Sequence, residues 1–179
     1  MIKVRVMRRS LLLLTLTALA AVALAGPAAA GDAAIVKPPS IFASKLDKVR
    51  TKSGLGVYLP SNLRVYTTAS RVRGTATASD GTYDLQLGIG RCGGANACYL
   101  ANFYAIKGEQ PAFARRVSLS DGRNGYWKPI TCGASCSPAA IQWLEGDVLY
   151  EIATKGVTLH KEKAALIKLA NSAIKAGPR

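Results

Sequence analysis

Apolar and polar residues alternate most strictly in TYDLQLGIG, residues 82–90. Tyr83, Leu85, Leu87 and Ile89 fall on one side, and Asp84, Gln86 and Gly88 on the other. A period of two marks a strand with one face against a core and the other wet. CYLANFYAI repeats the pattern, with Tyr99, Ala101, Phe103 and Ala105 on the inner side. GVYLPSNLRVY reads as two strands around a Pro-Ser-Asn turn, and Arg71 to Asp80 as an edge strand or a loop. ARRVSLS and GYWKPITC flank DGRNG, whose Asp-Gly and Asn-Gly steps favour a tight hairpin turn. IQWL-EGD-VLYEIA is a second hairpin, with Ile141 and Trp143 facing Val148, Tyr150 and Ile152.

The period changes at both ends. Phe42, Leu46 and Val49 recur at helical spacing, predicting a helix from a Ser40 cap to about Lys52 with Gly54 as its stop. After Thr158 the residues Leu159, Leu166, Leu169, Ala170, Ala173 and Ile174 form an apolar stripe that ends at Gly177-Pro178. Together these elements predict an α+β domain over residues 40–179. Its antiparallel meander of about five to seven strands is covered on one face by the C-terminal helix and by the N-terminal helix. The connections are too short for parallel crossovers.

The first thirty residues stand outside this pattern. Lys3, Arg5, Arg8 and Arg9 precede an uncharged apolar run from Leu11 to Ala25, followed by small-residue exits at Ala25 and Ala30. That order is a cleaved secretory signal peptide, and the run is shorter than the ~20 residues a membrane span needs. Arg8-Arg9 resembles a twin-arginine signal, but the strongly apolar core fits the ordinary unfolded-chain route better. Residues 31–39 read as an extended, mobile linker. The expected product is periplasmic or secreted, with no membrane span, and a monomer.

Export governs the cysteines. Outside the cytosol, Cys92, Cys98, Cys132 and Cys136 are expected to pair as disulfides. On chain entropy the local loops contribute about 2 kcal/mol each and a crossed Cys92–Cys136 bond about 4. Entropy therefore does not choose, while the intervening glycines favour the local pairs; both connectivities stay open. A C-x₅-C spacing does not suit structural zinc, and neither pair is the C-x-x-C of a dithiol oxidoreductase.

Charge narrows the partners. The chain carries +14, and the leader holds four of the 24 cations and none of the ten acids, so cleavage leaves +10. Such a field attracts anionic envelope components, while the basic residues form no block that marks specific nucleic-acid binding. Arg115, Arg116 and Arg123 are a candidate anion patch. Tyr126, Trp127 and Lys128 are a candidate aromatic platform beside a cation, suited to a sugar or a base. Each group also has an ordinary reading, as a charged turn and as half-core aromatics. His160 and the carboxylates Glu145, Asp147 and Glu151 are better read as solvated positions than as catalysts. No nucleophile elbow, phosphate loop or metal-protease motif is present, so no catalytic residue, metal ligand or cofactor is assigned.

Four stretches, VYLPSNL, CYLANFYAIKG, YWKPITCGASCSPAAIQWLEGDVLYEI and LIKLANSAIKAGPR, resemble a group of small uncharacterised exported bacterial proteins. More faintly, the hairpin-plus-helix ending is similar to domains of unknown function in exported and sporulation-associated bacterial proteins. The likeness covers about residues 54–179. It implies export, an α+β fold and a bacterial envelope setting, and carries no activity to transfer. The expected function is a non-enzymatic exported protein that binds an envelope component or a protein partner. The alternative is a small secreted hydrolase acting on a polyanion through His160 and a carboxylate.

Overall fold

The computed structural model describes residues 33–90, 98–157 and 160–179. Its first element, β1 (Ala34–Val36), lies in the stretch expected to be linker. Ala34–Val36 are extended and pair antiparallel with β2 (Leu63–Val65), burying Val36, while Pro38 and Pro39 of the same stretch belong to the first helix. Helix α1 (Pro38–Ser53) starts two residues before Ser40, because Pro38 and Pro39 occupy its first turn, where a missing N–H costs nothing. It stops at Gly54, whose φ of 68° lets its N–H reach the Arg50 carbonyl. Residues 55–60 do not form the expected sheet strand. They run as buried extended chain, with Val57 hydrogen-bonded in both directions to Arg179 and the Tyr58 N–H donating to the Tyr83 hydroxyl.

The main sheet contains β3 (Val72–Ser79), β4 (Thr82–Ile89), β5 (Tyr99–Lys107), β6 (Arg115–Ser118), β7 (Asn124–Lys128), β10 (Ala139–Glu145) and β11 (Val148–Thr154). Between β7 and β10 a two-stranded arm, β8 (Thr131–Cys132) and β9 (Cys136–Ser137), projects exposed into solvent. Every pairing is antiparallel, in the order β3-β4-β5-β11-β10-β7-β6. Only part of this is a meander. After β5 the chain jumps to the far edge, builds the β6–β7 hairpin, and fills the gap last with the β10–β11 hairpin.

Helix α1 and the closing helix α2 (Glu162–Ala176) pack on one face. Under α1, Phe42 meets Phe103 edge-on with ring centres 6.2 Å apart. Gly74 of β3 makes room for that ring: a Cβ there would stand 2.7 Å from Phe42 Cε1. Beside α2, Trp143 stacks on Tyr150 at 5.6 Å and Tyr58 meets both rings edge-on. The α2 stripe buries Leu166, Ala170, Ala173 and Ile174, as its spacing predicts. Its start is later than expected, at a Lys161 cap, and His160 precedes it with a left-handed φ of 66° that no helix allows. Thr158, the expected cap, and Leu159 lie outside the described residues. No helix among the described residues is long and apolar enough to cross a membrane.

Candidate functional site

The inward residues of each strand go to the helices, so the alternate residues define a second face, helix-free among the described residues. Register aligns them. Thr77, Asp84, Tyr104, Glu151, Gln142, Tyr126 and Arg116 are successive cross-strand neighbours, one from each of the seven strands. The next row runs Thr75, Gln86, Asn102, Ala153, Ala140 and Lys128. Asp84, Asn102, Tyr104, Glu151, Tyr126 and Lys128 are half-buried, and Gln142 is 5% exposed. Directly opposite neighbours on one face lie within side-chain reach, so these rows form a continuous polar and aromatic strip.

Gln142 organises its centre. Its side-chain nitrogen donates to Glu151 Oε2 at 2.7 Å, and its Oε1 accepts the Ala112 N–H at 2.9 Å. The second bond ties the β5–β6 connection to this face, where Phe113 lies 5.0 Å from the Lys128 ammonium. Arg116 stands 5.6 Å over the Tyr126 ring. Tyr99 joins the strip against expectation. The register shift between Leu87 and Gly88 pairs Tyr99 with Gly88, buries Leu100 instead, and lets the Tyr99 hydroxyl donate to the Ala153 carbonyl at 3.2 Å.

The electrostatics follow from burial. Desolvation raises the pKa of Glu151; the neighbouring Asp84 charge adds to this, and the Gln142 bond and Lys128 oppose it. Desolvation also raises Asp84, against a weaker lowering from Gln86, whose amide is 3.4 Å away. Tyr99 is raised by burial and then by both acids. Asp84 Oδ1 and Asn102 Oδ1 are buried with no hydrogen-bond partner, an expensive condition for acceptor oxygens. Two acids pushed toward their neutral forms on one surface are the kind of perturbation that functional sites collect.

The residues singled out in the sequence are divided by the fold. Arg116, Tyr126 and Lys128 belong to the strip. Arg115 and Trp127 share the opposite face, 5.2 Å apart, where Trp127 sits opposite Ile141 and packs against the core. Arg123 is not available to an anion. It grips Glu145 with two bonds of 2.7 and 3.1 Å and reaches Asp121 at 3.0 Å, while Trp143 Nε1 donates to the same Glu145. The carboxylates read as solvated positions are dispersed: Asp147 is exposed, 3.7 Å from Lys107, while Glu145 is half-buried on Arg123 and Glu151 half-buried on the strip. His160 is exposed ahead of α2. Among the described residues no three His, Cys, Asp or Glu side chains converge as a metal site.

Cys132 and Cys136 are bonded across the β8–β9 arm, which removes the crossed connectivity. Cys98 is also disulfide-bonded, and Cys92 lies outside the described residues.

Asp84, Asn102, Tyr104 and Gln142 were not singled out by sequence reasoning. Each occupies a wet-side position of an alternating strand, a visible signal. Their alignment depends on strand order, which the sequence does not encode locally. Comparison with protein-family models, with curated proteins and with solved structures finds no match to this chain.

Proposed function

We propose that this chain is an exported, non-enzymatic protein of the bacterial envelope that binds a glycan along the helix-free face of its sheet. The observation that carries this reading is the row from Thr77 to Arg116, which crosses all seven strands. A glycan offers apolar ring faces and pairs of hydroxyls. Tyr104 and Tyr126 supply flat, amphipathic surfaces for the first, and the half-buried Glu151, Asn102 and Asp84 supply planar acceptors and donors for the second, with Gln142 holding Glu151 in place beneath them. Half-burial strengthens each such bond relative to a fully solvated one. Arg116 and Lys128 provide cations for acidic sugars.

The test is co-sedimentation of the exported protein with peptide-free cell-wall glycan. Tyr104→Ala is expected to weaken retention about ten-fold, the upper range for one aromatic contact. Tyr126→Ala should act in the same direction. Undiminished retention in both variants removes the face as the binding site.

A hydrolase is the second reading, resting on Asp84 and Glu151 rather than on the expected His160: the two acids, both raised in pKa, flank Tyr104 on alternate strands. Strands two apart are separated by about 9.5 Å, the wide end for an acid–base pair working through a water. Release of reducing ends from the glycan by the wild type, abolished in Glu151→Gln, would favour this reading over simple binding.

A further inference from the structure

A second surface lies across the molecule, on the helix side of the sheet. The outward face of the β1–β2 ribbon and the flank of α2 enclose a groove of about 700 Å³. Ile35, Leu63, Val157, Ala165 and Leu169 give it apolar walls; Arg64, Lys161 and Lys168 stand among them, and no acid lines it among the described residues. A shallower groove continues along α2 past Ile167 to Lys175, sharing Ala164, Lys168 and Ser172 with the first. Lys161, Lys168 and Lys175 recur every seven residues, so on a helix they form one line of charges about 10.5 Å apart.

The ribbon adds a second feature. Ile35 is 71% exposed and Tyr66 48%, the two large apolar side chains left most open among the described residues. They are not scattered. Ile35 is the cross-strand partner of Arg64, and the Arg64 guanidinium lies 6.0 Å over the Tyr66 ring. Exposed apolar groups framed by cations, beside an apolar groove whose described lining carries cations and no acid, complement a surface with negative charge outside and hydrocarbon beneath.

We propose that this ribbon-and-helix surface docks the protein on an anionic phospholipid bilayer. Ile35 and Tyr66 enter the headgroup boundary, and Arg64, Lys161, Lys168 and Lys175 meet lipid phosphates. An aromatic ring with a polar tip suits that boundary, and lysines reach across it with their stems in apolar surroundings. Since α2 covers the opposite side of the sheet from the row through Tyr104 and Glu151, docking leaves the glycan-binding face turned away from the lipid. The two sites are independent, and loss of one leaves the other intact.

The experiment is flotation of the full exported protein, as isolated from its cells, with vesicles of pure phosphatidylcholine or with phosphatidylglycerol added. Binding is expected only to the anionic vesicles, and to fall steeply between low and physiological salt. Each lysine changed to glutamine should lower partitioning about five-fold. Ile35→Ser with Tyr66→Ser should lower it further without altering retention on wall glycan. Equal binding to both vesicle types overturns the proposal. So does anionic-vesicle binding that survives the triple lysine change. Equal affinity for a soluble polyanion such as polyglutamate, unaffected at Ile35 and Tyr66, would also overturn it, because it would reduce the surface to a simple charge patch.

Discussion

On the helix side of the sheet Trp143 lies flat on Tyr150, Phe42 stands against Phe103, and little beyond ring edges and methyl groups meets between layers. On the other side, the same strands place Tyr104 between two carboxyls and leave two acceptor oxygens buried without partners. Both faces are made by alternate residues of one set of strands. The helix side is closed chiefly by apolar packing, and among the described residues the buried Arg179 Nε beside Val57 is its unpartnered polar atom. The helix-free side leaves polar groups part-way out of water with their hydrogen-bonding capacity incompletely used. Such an arrangement contributes little to stability, so its residues should be separable from the fold by substitution.

The comparison breaks most readily on the helix side. Phe42→Ala removes a fully buried ring from a fitted site and should destabilise by about 3–5 kcal/mol in urea unfolding. A loss near 1 kcal/mol would mean that α1 is not seated on Gly74 as described. Arg123→Gln, next in size, breaks the two-bond grip on half-buried Glu145 and should cost about 2 kcal/mol. It should leave glycan retention unchanged, because Arg123 is not part of the strip.

On the helix-free side the stability effects should be small. Tyr104→Ala, from a half-buried position, should cost less than about 2 kcal/mol, in contrast to Phe42→Ala, while acting strongly on binding. The smallest effect carries a sign. Burial raises the Asp84 pKa, so the folded state holds that proton more tightly than the unfolded chain does. Stability therefore falls as pH rises from the ordinary carboxyl range through the folded value, and the deficit is complete above it. Asp84→Asn should relieve this deficit, giving a slightly higher melting temperature than wild type at neutral pH. The gain should disappear below about pH 4, where the unfolded carboxyl is itself protonated. A variant less stable than wild type at neutral pH would show that the Asp84 charge is compensated in the fold.

Much of the architecture was legible in local patterns. The alternation in residues 82–90 and 139–154, the Asp121-Gly122 step between β6 and β7 and the α2 stripe match the observed strand faces and helix side, whereas Asn124-Gly125, read as part of the turn, opens β7. Three features required non-local information. Residues 55–60 look like a strand, yet their hydrogen-bond partners are the last residue of the chain and a tyrosine hydroxyl. Tyr99 changes face because of a bulge that depends on register with β4. The strip itself arises only when the β10–β11 hairpin inserts between β5 and β7, which brings Glu151 beside Tyr104 and Gln142 beside Tyr126. Arg115, Arg116 and Arg123 failed as a group for a related reason. Neighbours along a strand face opposite ways, and the third is neutralised by Glu145, distant in sequence.

The claim that the helix-free face is the working surface is tested most directly by hydroxyl-radical footprinting of side chains with and without cell-wall glycan. Protection of Tyr104 and Tyr126 is expected, with Trp127 and Tyr66 keeping their reactivity. Protection of Trp127 or Tyr66 with Tyr104 unchanged, or no protection at any of the four, would contradict the account.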